Sequence, residues 1–149
     1  MYFIWLGKLW DKPLYDSVLV DIQKLGLQSR VRFVGLVENP LHYFAAADAF
    51  ALTSREDPFP LVCLEAASTG CPIVCFDKAG GANELVEDDA GIVVPYLDVQ
   101  RMAESLHFLI REPEIRKQLG RRAREKVLER FDISVGAPKL LKIIEEFLV

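Results

Sequence analysis

Short apolar runs that favour β-strands alternate along this chain with longer segments whose apolar residues recur at helical spacing. Glycine and proline separate the two kinds of segment, because glycine commonly ends a helix and proline suits its first turn. Strands are predicted at residues 2–6, 30–34, 48–53, 72–76 and 91–95. Helices are predicted at residues 14–26, 40–47, 60–69, 83–87, 98–111, 113–130 and 136–148. The alternation predicts an α/β fold with a parallel sheet of about five strands, helices on both faces and a helical C-terminal tail.

Composition limits the classes of protein to which this chain can belong. Its 149 residues suit one domain, and 51% hydrophobic with 27% charged residues excludes a disordered chain. A net charge of −4 gives no general attraction for nucleic acid, so no nucleic-acid partner is expected. No apolar run is long enough for a membrane helix, and the first residues lack the basic region of a signal peptide. The expected localisation is therefore cytoplasmic.

The three cysteines, Cys63, Cys71 and Cys75, are odd in number and lack CxxC spacing. Neither a disulfide framework nor a metal site is therefore expected. We expect these side chains to be small buried hydrophobic residues.

The C-terminal tail combines a basic run with a broadly apolar end. The basic residues alternate with glutamates, which predicts a solvated helical face with ion pairs. They are Arg116, Lys117, Arg121, Arg122, Arg124 and Lys126. The last helix is predicted to start near Pro138, and its apolar residues are too widely distributed for a one-sided stripe.

The loop at residues 54–60 is the strongest candidate for a functional site. Ligands bind parallel sheets at the carboxyl ends of the strands, which gives candidate loops at 7–13, 35–39, 54–60 and 77–82. Loop 54–60, SREDPFP, leads into a helix that begins near Pro60. The first N–H groups of a helix lack intrahelical partners, and its dipole adds about half a positive charge there. A phosphate can bind at such an end.

Two acidic residues flank this helix start. Asp57 precedes it, and Glu65 lies one turn inside, on the same face as Leu61. A carboxylate in this place suits a vicinal diol, because both hydroxyls can donate to it. The alternative is that Asp57 or Ser54 only caps the helix and that Glu65 is a solvated helix-face residue. Against this, Glu65 adjoins a small-residue run suited to close packing, where a desolvated carboxylate needs partners.

Six motifs along the chain occur in the order and spacing of one known family. They are VRFVG at 31–35, YFAAADAFALTS at 43–54, DPFPLVCLEA at 57–66, GCPIV at 70–74, GGANE at 80–84 and GIVV at 91–94. By these motifs the chain resembles the group 1 (family 4) glycosyltransferases. The resemblance is to the C-terminal, nucleotide-sugar-binding half of their two-domain GT-B fold, which is Rossmann-like. It extends over nearly the whole chain.

The resemblance implies retaining transfer of a sugar from a nucleotide-diphosphate sugar to an acceptor hydroxyl. The nucleotide-diphosphate sugar is the donor substrate, and no metal or other cofactor is expected. The family signature is two glutamates separated by seven residues, which correspond here to Asp57 and Glu65. Asp57, the candidate catalytic residue, would contact the transferred sugar. Glu65 would hold the ribose hydroxyls.

Further donor-binding residues follow from the same resemblance. The backbone at Phe59, Pro60 and Leu61 would face the donor sugar and the diphosphate. Val37 would line the pocket for the nucleotide base. Gly80 and Gly81 match a loop that lies near the donor.

The chain departs from the family pattern in three ways. Asp57 stands where the family has glutamate, which shortens its reach by one methylene. Pro60 stands where glycine is usual, so one N–H donor is lost. Residues 2–7 match the second strand of the family's C-terminal half, so the preceding strand and helix, which carry an Arg and a Lys for the diphosphate, are absent. The acceptor-binding N-terminal domain is absent too.

These departures predict that residues 1–149 form a single domain that is part of a longer parent and is inactive alone. Strand 2–6 should pair with strand 48–53, leave a gap or find a partner chain, so a homo-oligomer is one expected form. In the parent, the absent domain would bind the acceptor, which is a sugar, a lipid or a small molecule. The parent could lie peripherally at the membrane.

The same residues leave two alternatives to this function. The chain could be a non-catalytic nucleotide-sugar-binding or interaction module that keeps the half-fold. A dehydrogenase is disfavoured, because no GxGxxG follows a strand and opens a helix.

Overall fold

A computed structural model describes residues 1–8 and 11–148 of the chain. The chain forms two compact units, Met1–Pro40 and Leu41–Val149. The candidate loop at 7–13 contains residues 9–10, which lie outside the described residues.

The first unit consists of β1 (Phe3–Leu6), α1 (Lys12–Lys24) and β2 (Val31–Gly35). The two strands are parallel neighbours, with Phe3 opposite Val31. Helix α1 begins two residues before the predicted start, because the Asp11 carboxylate accepts a hydrogen bond from the Leu14 N–H at 2.9 Å. The helix ends before Gly26, whose φ of +67° suits glycine.

The second unit contains three strands and six α-helices among its described residues. In chain order they are α2 (Leu41–Ala46), β3 (Phe50–Leu52), α3 (Leu61–Ser68), β4 (Ile73–Phe76), α4 (Ala82–Val86), β5 (Gly91–Val94), α5 (Val99–Arg111), α6 (Pro113–Lys126) and α7 (Ile133–Phe147). A π-helical segment, Val127–Phe131, joins α6 to α7. The strands form a parallel sheet in the order β3-β4-β5.

Both faces of this sheet are covered by apolar side chains. Every residue of the central strand β4 is buried. Because side chains alternate along a strand, Ile73 and Cys75 join one apolar cluster, whereas Val74 and Phe76 join the other. This arrangement confirms the predicted α/β class with parallel strands and surrounding helices. The strands divide into a two-stranded sheet, β1-β2, and a three-stranded sheet, β3-β4-β5, so strand 2–6 does not pair with strand 48–53.

The three cysteines are free and buried in the second unit. Burial raises the pKa of the Cys63 and Cys71 thiols to about 12 and that of Cys75 to about 11. They are therefore protonated near neutral pH, in agreement with the small buried hydrophobic residues predicted from the sequence.

Helix α7 begins three residues before the predicted start at residue 136. The Asp132 carboxylate accepts a hydrogen bond from the Ser134 N–H at 2.9 Å and so caps the helix. Pro138, predicted to lie in the first turn, instead lies inside the helix. None of the residues of α7 is buried, and the helix packs against the π-helical segment. Among the described residues, no helix has both the length and the apolar character needed to cross a bilayer.

Candidate functional site

Two loops at the carboxyl ends of neighbouring strands are joined by backbone hydrogen bonds. Loop 54–60 follows β3, and loop 77–81 follows β4. The Asp57 N–H donates to the Ala79 carbonyl at 2.8 Å, and the Gly81 N–H donates to the Pro58 carbonyl at 2.9 Å. Asp57 and Gly80 form a parallel β-bridge. The two loops thus extend the pairing of β3 and β4 beyond the sheet, and we call this arrangement the loop pair.

The loop pair requires glycine at both positions of the Gly80–Gly81 dipeptide. Gly80 has a φ of +138°, and a Cβ atom there would lie 1.7 Å from the Asp57 carbonyl oxygen. A Cβ at Gly81 would lie 2.3 Å from Cδ2 of Phe59 and 2.6 Å from the Pro58 carbonyl oxygen. Only residues without a side chain allow the loops to approach this closely.

Helix α3 begins directly after the loop pair without a side-chain cap. Pro60 occupies the N-cap position, and no side chain accepts a hydrogen bond there. The alternative that Ser54 or Asp57 caps this helix is therefore wrong. Leu61, the first helical residue, is 69% exposed. In the part of the chain that the structure describes, the N–H groups of Phe59 and Leu61 donate to no backbone carbonyl, as expected at the start of a helix.

Glu65 lies on the exposed face of α3, one turn after Leu61. Its neighbours Ala66 and Ala67 are completely buried, as the small-residue run predicts. Within residues 1–8 and 11–148, the Glu65 carboxylate has no hydrogen bond or ion pair to another side chain. This exposure is that of a solvated helix-face residue, and it also leaves both carboxylate oxygens accessible to a ligand.

The structure brings most of the predicted site residues to one place. Asp57, Phe59 and Pro60 lie on one side of the loop pair, and Gly80 and Gly81 lie on the other. Asp57 and Phe59 are half-buried, whereas Pro60 is buried. Val37 belongs to the first unit, where it lies half-buried two residues after β2. Its assignment to a nucleotide base stays a prediction.

Two side chains that form hydrogen bonds with residues of the loops, Asn83 and Tyr96, were not predicted from the sequence. The Asn83 amide donates to the Asp77 carboxylate at 3.1 Å and accepts from the Cys75 thiol at 3.4 Å. Tyr96, which follows β5, donates its hydroxyl proton to the Arg55 carbonyl at 3.1 Å and so contacts the first loop. Tyr96 could have been predicted from the sequence, because it lies just beyond the carboxyl end of the predicted strand 91–95.

Lys126 corrects one prediction about the basic run. The sequence predicts that Lys126 lies on a solvated helical face, but its side chain is completely buried. Its ammonium donates to the Leu85 and Val86 carbonyls at 3.2 and 3.3 Å, which lie at the end of α4. It also forms ion pairs with Glu87, at 2.7 Å, and with Asp89. The last carbonyls of α4 are acceptors for a cation. Because this contact joins two elements that are distant in the chain, no pattern in the sequence predicts it.

Other members of the basic run do form the predicted ion-paired face. Arg122 contacts Asp89, Glu125 and Glu129, and Lys117 contacts Glu114. Hydrogen bonds from Lys126 and Arg130 hold the pKa of the Glu87 carboxyl below its ordinary value, and Lys126 and Arg122 do the same for Asp89.

Comparison with known sequences gives a match to the family described as Glycosyl transferases group 1 over residues 6–126. One curated relative is the N-acetylgalactosamine-N,N'-diacetylbacillosaminyl-diphospho-undecaprenol 4-alpha-N-acetylgalactosaminyltransferase of Campylobacter jejuni, 31% identical over 136 residues. These residues are 89% of this chain and 37% of the relative. The N-acetyl-alpha-D-glucosaminyl L-malate synthase of Bacillus anthracis is 31% identical over 81% of this chain and 32% of its own. The chain thus spans about a third of the length of these relatives.

Solved structures show the same architecture. HepE from Anabaena, in complex with UDP-glucose, is 30% identical with a TM-score of 0.87, over 97% of this chain and 41% of HepE. The C-terminal domain of LpcC, a group 1 glycosyl transferase of Francisella tularensis, is 24% identical with a TM-score of 0.73, over 83% of this chain and 65% of its own, and shows the fold. The chain therefore belongs to the group 1 glycosyltransferases and has the Rossmann-like fold of their GT-B members.

Proposed function

We propose that this chain is the donor-binding half of a retaining glycosyltransferase. The parent enzyme transfers a sugar from a nucleotide-diphosphate sugar to an acceptor hydroxyl. The observation that supports this most directly is the similarity, at 30% identity and a TM-score of 0.87, to a structure in complex with UDP-glucose. The loop pair supports it independently, because it lies at the carboxyl ends of parallel strands, where such sheets bind ligands.

In this proposal the two acidic residues hold different parts of the donor. Glu65, exposed and unengaged on α3, accepts hydrogen bonds from both ribose hydroxyls. Asp57, half-buried in the loop pair, accepts hydrogen bonds from the transferred sugar and orients it. Its shorter side chain requires the sugar to approach the backbone of the loop more closely than a glutamate would.

Backbone groups supply the electrostatic part of the site in this proposal. The N–H groups of Phe59 and Leu61 donate to the donor sugar and the diphosphate, and the positive end of α3 favours the same negative charge. Pro60 contributes no donor, and it fixes the entry of the chain into the helix. Gly80 and Gly81 allow the second loop to lie against the first.

Calorimetry of the 149-residue chain with UDP-glucose, and in parallel with GDP and ADP sugars, tests the proposal. Replacing Glu65 by Ala removes two charge-assisted hydrogen bonds and should weaken UDP-glucose binding about 10- to 100-fold. Asp57→Asn should weaken UDP-glucose binding and leave UDP binding nearly unchanged, because only the sugar contact is altered.

Glu56→Gln is the matched control, since Glu56 is an exposed carboxylate of the same loop to which no role is given. It should bind as the wild type does. Absence of binding to every nucleotide sugar, or equal binding by the Glu65→Ala variant, would overturn the proposal and favour an interaction module without donor binding.

A further inference from the structure

The Phe59 ring connects the loop pair to a distant part of the chain. Within the loop pair the ring lies against Gly81, so closely that a Cβ at Gly81 would be 2.3 Å from its Cδ2 atom. The ring also meets Phe131, with ring centroids 5.5 Å apart and planes tilted by 38°. Phe59 therefore contacts both the second loop and the end of the π-helical segment.

Phe131 is itself held by the core of the second unit. It is half-buried and packs against the apolar cluster that includes Cys63 and Ala67 of α3. The π-helical segment Val127–Phe131 contacts α3. The Phe131 ring thus contacts the core of the second unit as well as the Phe59 ring of the loop pair.

The π-helical geometry determines which way Phe131 faces. A π-helical turn contains about one more residue than an α-helical turn. Because successive side chains of an α-helix are about 100° apart around the axis, the extra residue changes the face on which the following side chains lie. If α6 continued as a regular α-helix, the side chain at residue 131 would lie on another face. Short π-helical segments often occur at functional sites.

We infer that Phe131 is a positioning residue for donor binding, which acts through Phe59. Its ring fixes the Phe59 ring against Gly81, and thereby fixes the backbone N–H of Phe59, and Asp57 two residues before it, relative to the donor sugar. Phe131 itself does not contact the donor in this arrangement. The inference rests on the proposed function, because it concerns the geometry of that same site.

The test compares the affinities of the 149-residue chain for UDP-glucose and for UDP. Phe131→Leu removes the ring contact and should weaken UDP-glucose binding about three- to tenfold more than UDP binding. Phe131→Tyr keeps the ring and should restore the wild-type ratio. In the double variant with Phe59→Leu, replacing Phe131 should add little further loss, because the contact is already gone.

Phe44→Leu is the matched control for a merely structural effect. Phe44 is buried in α2, and its ring meets that of Phe50, the first residue of β3, at 5.5 Å. This variant should lower the melting temperature without changing the ratio of the two affinities. An unchanged ratio in Phe131→Leu, or an equal change in Phe44→Leu, overturns the inference. Failure of the wild type to bind UDP-glucose overturns the proposed function and the inference together.

Discussion

At the scale of single residues, the tightest requirement in the candidate site falls on two glycines. Gly80 and Gly81 lie against the backbone of Asp57 and Pro58 and against the Phe59 ring. The approach of the two loops therefore determines their identity, independently of any contact that they make with a ligand. Binding motifs rich in glycine are usually explained by the approach of a ligand, and here packing within the protein is sufficient.

Gly80→Ala should separate the loop pair. The added methyl would meet the Asp57 carbonyl oxygen at 1.7 Å, and the φ of +138° is unfavourable for alanine. We expect a loss of about 1–3 kcal/mol in the free energy of unfolding, measured by urea denaturation, together with weaker UDP-glucose binding. Gly136→Ala is the control, since nothing lies near its Cβ and it is in α7, where alanine should be neutral or stabilising. A Gly80→Ala variant as stable as the wild type would contradict the close approach.

At the scale of elements, periodicity predicted the helices of the tail but not their junction. The segment predicted as one helix, 113–130, is α6 followed by a π-helical turn, whose last residue, Phe131, contacts Phe59. The start of α7 carried two competing signals, Asp132 and Pro138. The helix begins at the capping carboxylate, which accepts a hydrogen bond from an N–H group of the first turn, and Pro138 lies inside the helix, where it supplies no N–H donor.

Asp132→Ala should therefore destabilise α7 specifically. Loss of the cap should reduce the stability of the helix by about 1 kcal/mol, and hydrogen exchange of the α7 amides should become faster. Asp98 provides a matched control, because its carboxylate caps α5 by accepting from the Arg101 N–H at 2.9 Å. Asp98→Ala should accelerate exchange in α5 and leave α7 unchanged. Equal exchange in α7 of the wild type and the Asp132→Ala variant would contradict the assigned cap.

At the scale of the whole second unit, Lys126 joins α6 to the end of α4 and to two carboxylates. Its burial places one charged group inside the unit, with Leu85, Val86, Glu87 and Asp89 as partners. The lowered pKa values of Glu87 and Asp89 mean that their ionised forms stabilise the folded state. This stabilisation is present above the ordinary carboxyl pKa values of 4.5 and 3.8 and is lost as the pH falls further.

Measurement of the free energy of unfolding at decreasing pH should reveal the contribution of Lys126 and its two carboxylate partners. The free energy of unfolding of the wild type should fall as the pH drops below about 4.5. Lys126→Met should lower stability at neutral pH by about 1–3 kcal/mol, because the α4 carbonyls lose their donor, and it should also flatten the acid dependence. Lys117→Met, which breaks an exposed pair with Glu114, is the control and should change little. Denaturation at several pH values measures both effects, and an unchanged slope in Lys126→Met would contradict the assignment.

The order and type of the elements followed from the sequence, and the contacts between them did not. All five strands were predicted, but their division into two sheets depends on pairing between distant residues, which alternation of side chains does not encode. The strand-end rule predicted both loops of the candidate site. Their joining through Asp57 and Ala79 could not be predicted, because backbone hydrogen bonds leave no pattern of side chains.

Because the three cysteine thiols are buried and protonated, their alkylation would report local opening of the second unit. Only the thiolate attacks an alkylating reagent, so Cys63, Cys71 and Cys75 should stay unmodified while the fold is closed. Cys63 lies on α3, Cys75 on β4, and Cys71 between them, so the three sample adjoining parts of the sheet and its cover. The order in which mass spectrometry detects their alkylation would therefore show which part loosens first, without any introduced label.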